Sequence, residues 1–390
     1  MRVLVVSSKF PPEYSGSGLR CHNTYKRFSK KFNIKYDLVT SSLESSGVCW
    51  YTHENKEVKR IAGIFKVVNF KGIIRKIIVW INFPFEIFSS WLFIRGKIDS
   101  YDMLHTFGDS WSIGFFTWYF SYFKKPIVRE LCNEIKTSYY PYPFRKIVKK
   151  IFQKDNTMMI AISPMLESLA INELVKNIWH RPNPINEDIF NLNIRLNKDY
   201  LRRKITPYSE DNIVLTYVAM FWKNKNQRFL LRVLKKLSDN YKLVLVGPVP
   251  SVHKKYYLEV LDDIDKLNLN NRVFIVNEFI ENPEEYIAMS DVYLFPSMHE
   301  GLGTPILEAQ ACGVPIVMNQ LPGISDKWIN TDMAGYAAPL NEGIWKRMIE
   351  KALNIEEYKL QNNSKFITNI AGSSVIDHCY FEKFKEVIGK

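Results

Sequence analysis

Two glutamates, Glu300 and Glu308, flank a glycine-containing turn in the stretch from Phe295 to Pro315. An apolar run ends at Pro296. Gly301, Leu302 and Gly303 then precede Thr304 and Pro305, residue types suited to a helix cap and to the first helical position. Gly313 marks the end of that helix, with Pro315 beyond it. Such a turn presents the amides of Gly301, Leu302 and Gly303 at a helix N-terminus. Unpaired N–H groups and the helix dipole both favour phosphate there. A carboxylate beside a phosphate is repelled by it, so two of them need another partner. The hydroxyls of a sugar and of a ribose fit, because carboxylates accept strong hydrogen bonds. The plainer alternative is a capped helix with one solvated and one structural glutamate.

No metal-ligand or cofactor pattern accompanies the turn. The seven histidines show no H-x3-H spacing, and the five cysteines are scattered without a C-x-x-C. Asp263-x-Asp265 falls in a predicted helix and reads as a solvated face. There is no Walker A segment and no G-x-G-x-x-G. The expectation is therefore no bound metal and no cofactor, with cysteines suited to a reducing compartment.

The elements that must position these residues follow from the pattern of apolar runs. Val3–Val6, Lys35–Val39, Met103–Leu104 (ending at His105), Ile127–Leu131 and Met159–Ile162 read as strands, with a loop at Lys9–Gly18 and a helix from Leu19 to Lys30. Residues Asn191–Asn212 are polar and broken, as in a linker. The alternation then restarts, with strands at Ile213–Val218, Leu243–Val246, Val273–Val276, Val292–Phe295 and Pro315–Met318 separated by helical patterns. Strands alternating with helices imply parallel sheets covered on both faces. The expected organisation is an N-terminal domain over 1–190, a linker over 191–212, a C-terminal domain over 213–370 and a last helix over 371–390 that packs back on the first domain. The class is α/β, with two doubly wound, Rossmann-like domains. Ligands in such sheets sit beyond the carboxyl ends of the strands, here in an interdomain cleft.

With 46% apolar and 24% charged residues, the chain has the composition of a folded protein rather than a disordered or collagen-like one. The net charge of +13 is concentrated in residues 1–150, where 25 Lys+Arg face 11 Asp+Glu. A basic half beside a neutral half is a statement about partners. No nucleic-acid motif is present, and the expectation is no nucleic acid. Aromatic and aliphatic residues are interleaved with the basic ones in Ile73–Trp80 and Trp91–Lys97. That pattern suits an anionic membrane surface; the alternative is an ordinary helix face packed on the sheet. Ile77–Ile94 is interrupted by Asn82, Pro84, Glu86, Ser89 and Ser90, so it reads as buried or interfacial rather than spanning. The N-terminal apolar run is too short for a signal peptide.

The block E-G-L-G-T-P-I-L-E-A-Q-A-C-G-V-P-I-V from Glu300 resembles the donor motif of the retaining GT-B glycosyltransferases, in particular glycosyltransferase family 4. Three further segments resemble that family in the same order along the chain. They are Pro11–Gly18 (its first glycine-rich loop), Arg181–Phe190 (its interdomain segment) and Trp222–Gln227 (its basic segment after the first strand of the second domain). The resemblance implies a GT-B fold and transfer of a sugar from a nucleoside-diphosphate sugar, with no metal, to a saccharide or lipid-linked acceptor. It places Glu300 and Lys225 in the catalytic centre, with Lys225 neutralising the diphosphate of the leaving nucleotide. Gly16, Ser17, Gly18, Gly301, Leu302, Gly303, Thr304 and Glu308 fall on the donor, and Glu308 on its ribose. Departures mark the acceptor side. The family's histidine after the fourth strand is Cys132 here, beside Asn133, while His105 matches the first residue of an H-x-H pattern whose second position is Phe107. An arginine usual five residues before Lys225 is Met220, with Lys223 and Arg228 as the nearby basic substitutes. The two glycines of the first loop are split as Gly16 and Gly18. The implied role is cell-surface polysaccharide biosynthesis in the cytoplasm, peripheral on the inner face of the membrane. The alternatives are a sugar-nucleotide epimerase or phosphorylase of the same fold, or a non-enzymatic basic scaffold.

Overall fold

The computed structural model describes residues 1–13, 15–131 and 144–389. The chain forms two compact units, one of Met1–Arg181 with Asp377–Lys390 and one of Pro182–Ile376.

The first unit is built on eight strands: β1 (Arg2–Ser7), β2 (Lys35–Thr40), β3 (Val48–His53), β4 (Lys56–Ile61), β5 (Met103–Phe107), β6 (Ile127–Leu131), β7 (Thr157–Ala161) and β8 (Asn177–His180). Their order across the sheet is β3-β4-β2-β1-β5-β6-β7-β8. All neighbours are parallel except β3 and β4, which form an antiparallel hairpin at one edge. β1 runs between β2 and β5, with Val5 opposite Leu38 on one side and His105 on the other. Both faces of the central strands are covered, so β5, β6 and β7 are buried at every position. That is why they do not alternate apolar with polar residues, and the polar residues that they do carry, such as His105, Arg129 and Glu130, are buried. Leu4, Leu104, Phe116, Phe120 and Met159 lie in the core of this unit. The hairpin was not legible in the sequence. β3 (VCWYTH) carries its apolar residues in an exposed stretch and β4 (KEVKRI) is mostly charged, so neither shows the apolar run or the alternation of a core strand.

Helix Gly72–Ile94 contains the stretch expected to be buried or interfacial, and it lies with its polar residues inward. Asn82, Glu86, Ser89 and Ser90 are buried, while Ile73, Ile74, Ile77, Trp80, Phe88 and Leu92 are exposed. The Asn82 side-chain amide donates to the Phe65 carbonyl at 2.8 Å and its oxygen accepts from the Phe65 amide at 3.0 Å. This pairing satisfies the inward polar group. Among the described residues it is the one helix long and apolar enough to cross a membrane by length and composition.

The second unit holds a six-stranded, all-parallel sheet of β9 (Ile213–Val218), β10 (Tyr241–Val246), β11 (Val273–Val276), β12 (Val292–Phe295), β13 (Ile316–Asn319) and β14 (Gly335–Ala338). The order is β11-β10-β9-β12-β13-β14, so the chain reverses direction between β9 and β12. Leu215, Leu243, Val317 and Trp345 lie in its core, each large buried side chain contributing about 1.5–3 kcal/mol.

One segment differs from the sequence expectation. Residues 191–212 are not an extended linker. They carry helices Leu192–Arg195 and Lys198–Ile205 and belong to the second unit. Their polar residues are used inward: Arg202, 2% exposed, donates to Asp291 at 2.8 Å and to the carbonyls of Met289 and Asn212. The last helix, Ser373–Ile388, begins in the second unit, and from Asp377 onward it belongs to the first. There the buried Asp377 carboxylate accepts from Arg27 at 2.8–3.0 Å, and Phe381 stacks on Phe32 at 4.7 Å.

Candidate active site

In the second unit the turn after β12 lies beside the segment after β9, because these two strands are sheet neighbours. Backbone and side-chain hydrogen bonds stitch the segments together. The Met298 amide donates to the Asn224 carbonyl at 2.9 Å, and the Asn224 side chain donates to the His299 carbonyl at 2.8 Å. Lys225 sits in a single 3-10 turn, Lys223–Lys225, closed by Asn226 in the left-handed conformation. Its ammonium forms a charge-assisted hydrogen bond and ion pair with the Glu300 carboxylate. Both side chains are mostly enclosed, at 19% and 14% exposure. The structure therefore brings together the two residues to which the family resemblance assigned the central chemistry.

Helix Thr304–Ala311 follows at once. Its cap is not Thr304, as the residue types suggested, but Gly303, which takes φ +75°. At that φ any side chain would be strained, so the conformation favours glycine there. Thr304 instead accepts a hydrogen bond from the Asn183 side chain at 3.0 Å. Among the described residues, the amides of Gly301, Leu302 and Gly303 have no acceptor. Gly313 closes the helix at φ +69°, in the left-handed conformation expected of it. The back of the helix is held by helix Glu357–Ala371. Asn363 donates to Gln310 Oε1 at 2.9 Å and Ser364 to the Ala311 carbonyl at 2.6 Å.

Glu308 lies one turn into this helix and is partly exposed. Among the described residues its carboxylate has neither hydrogen-bond donor nor ion-pair partner. Burial, reinforced by the nearby Glu284, pushes its pKa up to about 7. A carboxylate set in a poorly solvated wall without a donor is an acceptor for hydroxyl groups that the protein itself does not supply.

Of the two basic residues near Met220, Arg228 is already engaged. It donates to Asp263 at 2.6 and 3.0 Å and to Glu259 at 2.8 Å. Lys223 is exposed, and among the described residues it has no acidic partner. Lys223 is thus the basic side chain free to answer an anion.

In the first unit the loop from Lys9 leads into helix Gly16–Lys31. Ser15 caps the helix by accepting from the Gly18 amide at 2.9 Å, and a Cβ at Gly18 would meet the Lys9 carbonyl at 2.7 Å. Gly16 has open space where a side chain would stand. Gly16 and Ser17 present their amides at the start of a 16-residue helix. Glu13 steadies the loop, accepting from the hydroxyls of Ser42 and Ser45 with Arg60 at 3.7 Å.

His105 is fully buried on β5. Its Nδ1 pairs with the Tyr25 hydroxyl at 2.8 Å, and its Nε2 stands 3.7 Å from Glu130. Glu130 in turn accepts two hydrogen bonds from Arg181, at 2.9 and 3.0 Å, and one from Tyr380 of the last helix. Burial opposes the charge on Glu130, but Arg181, His105 and Arg20 overcome it and hold the carboxyl far below its usual range. Burial also lowers the pKa of His105. This network was not legible in the sequence, because its members come from positions 25, 105, 130, 181 and 380. Enclosure on all sides leaves His105 no surface for an acceptor. Cys132 and Asn133, the other residues expected on the acceptor side, lie outside the described residues.

The first unit also gathers His22, His53 and Glu54, whose potential metal-ligand atoms all lie within 4.8 Å of one another. Sequence spacing found no such group, since two of the residues lie in the hairpin and one on a helix.

Comparison with known proteins gives these arrangements a context. Residues 197–374 match the family model of glycosyl transferases group 1. The chain is 25% identical over 213 residues to an Escherichia coli UDP-Gal:alpha-D-GlcNAc-diphosphoundecaprenol alpha-1,3-galactosyltransferase, covering 51% of this chain and 53% of that one. It is 26% identical over 229 residues to the O-antigen chain mannosyltransferase RfbU of Salmonella typhimurium, covering 58% and 60%. The chain thus spans about half the length of the curated relatives it matches. Among solved structures, Anabaena Alr3699/HepE in complex with UDP superimposes with a TM-score of 0.76 at 14% identity, over 99% of this chain and 100% of that one. Sucrose-phosphate synthase from Thermosynechococcus elongatus does so with a TM-score of 0.75 at 16% identity, over 100% and 99%. The fold is that of the GT-B glycosyltransferases.

Proposed function

We propose that this chain, whose residues 197–374 match the glycosyl transferases group 1 family, is a retaining glycosyltransferase. It moves a sugar from a nucleoside-diphosphate sugar to a saccharide or lipid-linked acceptor in cell-surface polysaccharide biosynthesis. The observation that carries the reading is the Lys225–Glu300 pair at the mouth of helix Thr304–Ala311, beside three amides that have no acceptor. In this reading the diphosphate draws Lys225 and the amides to itself, and Glu300 is released to accept from donor-sugar hydroxyls. Glu308 accepts from the ribose. The charge that grows on the leaving diphosphate is answered by Lys225, by the helix dipole and by Lys223, a nearby substitute for the family arginine whose position Met220 holds here. This donor step is carried by fixed cations and amides and needs no metal. The acceptor hydroxyl attacks the anomeric carbon on the face from which the nucleotide departs, and a donor phosphate oxygen takes its proton.

The acceptor and the site of action follow from the first unit. Helix Gly72–Ile94 turns Ile73, Ile74, Ile77 and Trp80 outward next to Arg75 and Lys76, and buries its polar groups. An outward apolar face with adjacent cations suits the headgroup region of an anionic bilayer. Peripheral binding there would bring the enzyme to lipid-linked acceptors, and a relative acting on a diphosphoundecaprenol acceptor supports the same reading. The test is a thermal-shift screen of nucleoside-diphosphate sugars followed by transfer assays with the donors that bind. Saturating ligand at ~100 Kd stabilises by about 2.7 kcal/mol. A chain stabilised by no nucleoside diphosphate or its sugar overturns the proposal.

A further inference from the structure

We propose that His22, His53 and Glu54 form a site for a divalent transition-metal ion, of which Zn2+ is the type, that clamps the β3–β4 hairpin to the start of the chain's first helix. The site lies in the first unit, whereas Lys225 and Glu300 lie in the second, and the inference does not rest on the glycosyltransferase reading.

Three independent pieces of local structure converge on the site. His22 projects from helix Gly16–Lys31, the helix that carries Gly16–Gly18 at its start. His53 is the last residue of β3 and pairs with Lys56 across the hairpin. Glu54 and Asn55 form the two-residue turn between them, both left-handed at φ +44° and +62°. That turn leaves the backbone no slack, so the register of the hairpin fixes where Glu54 stands on the chain. The His22 Nε2 lies 3.4 Å from Glu54 Oε2. Neighbouring ligand atoms of a tetrahedral zinc ion, each ~2.0–2.1 Å from the metal, are about 3.3 Å apart. One edge of the tetrahedron therefore already has its length. The two imidazoles stand 5.0 Å apart at 68° to each other, so small side-chain rotations bring His53 within reach. Phe10 packs edge-on against both rings, at 5.6 and 5.9 Å, and limits other rotations.

Two imidazole nitrogens and one carboxylate oxygen form a donor set that first-row divalent ions bind, with solvent filling the remaining positions. It would not select magnesium or calcium, which prefer all-oxygen sites. Lys26 now occupies part of the place of a cation, with its ammonium 2.7 Å from Glu54 Oε2. Lys26 is half exposed, and an exposed pair of this kind yields readily to a stronger ligand. Binding would join the hairpin tip to the helix and to Phe10, which bracket the glycine-containing loop on both sides. The role is that of a structural clamp.

The experiment titrates the purified, chelator-stripped full chain with Co2+ and then Zn2+ alone, and follows the visible Co2+ spectrum, the bound metal and thermal unfolding. Expected is one ion per chain, intense visible bands of low-coordinate Co2+ that Zn2+ bleaches, and a raised unfolding temperature. His53→Ala and Glu54→Gln lie on the hairpin and should fold. Each should weaken binding by at least about tenfold, as should His22→Ala. Lys26→Met, which removes the competing ammonium, should tighten binding. Absence of binding at 0.1 mM metal, about 5.5 kcal/mol of affinity, overturns the proposal. Binding that is unchanged in both His53→Ala and Glu54→Gln overturns it equally.

Discussion

Lys225 and Glu300 meet across 75 positions of sequence, and each holds the other's charge at the place where the proposed function puts the donor diphosphate. Removing either leaves the fold's other contacts in place but takes one oriented charge from the proposed reacting centre. Glu300→Gln and Lys225→Ala should each lower turnover by about 100–1000-fold, with unchanged circular dichroism. A folded variant with near-normal turnover would remove that residue from the site. Glu308 adds a pH dependence whose sign can be worked out. Its folded pKa of about 7 lies above the ordinary carboxyl value, so it takes up a proton as pH falls through 7. A protonated carboxyl accepts ribose hydroxyls less well, so donor affinity should rise between roughly pH 6 and 8 and then level. The same raised pKa means that folding works against the ionised form, a cost that is absent below the unfolded pKa and complete above about pH 7. Glu308→Gln should therefore bind donor more weakly without that pH slope, yet melt at a higher temperature than the parent at pH 8. Isothermal titration and melting curves at several pH values test both halves.

At the level of elements, the last helix owes its place to buried polar chemistry as much as to apolar packing. Tyr380 and Arg181 both bond to Glu130, which has no exposed surface in its side chain. Glu130→Ala removes the carboxylate that faces the buried Arg181 guanidinium, and breaking a buried pair in this way costs about 3–5 kcal/mol. Urea unfolding should show the midpoint fall accordingly. A loss below about 1 kcal/mol, the range of exposed pairs, would mean that the network is solvated. The strands and helices around this network were mostly legible in the sequence. β6 appears in it from Ile127 to Leu131 because its apolar ends flank Arg129 and Glu130, which are buried in ion pairs with Asp109 and Arg181. The segment over 191–212 was read as a linker for the opposite reason. Arg202 is buried and Arg195 half-buried, bonded to Asp291 and to backbone carbonyls, and no sequence pattern separates an inward, satisfied arginine from a solvated one.

For the whole molecule, the charge of residues 1–150 and the outward apolar face of helix Gly72–Ile94 make a joint prediction. Basic residues near anionic lipid contribute about 1 kcal/mol each. The chain should float with liposomes containing anionic lipid at low salt and release at high salt. It should bind poorly to neutral liposomes, and replacing Ile74 and Trp80 by Glu should abolish flotation. Equal, negligible binding to both kinds of liposome at low salt would remove the membrane reading and leave the donor site untouched.

By itself the sequence determined the α/β class, the two runs of strand and helix, the glycine turn between Glu300 and Glu308, and the helix that follows it. Each of these is a local matter of apolar periodicity, left-handed glycines and prolines near helix ends, and local sterics leave few alternatives. The tertiary structure alone decided the partners. Glu300 faces Lys225 because β12 lies beside β9 in the sheet, Arg228 is withdrawn to Asp263, and His105 is enclosed by Tyr25 and Glu130. It likewise gathered His22 from a helix with His53 and Glu54 from a hairpin. Contacts of this kind depend on strand order and register, which arise from packing over the whole chain and leave no trace in the spacing of the residues they join.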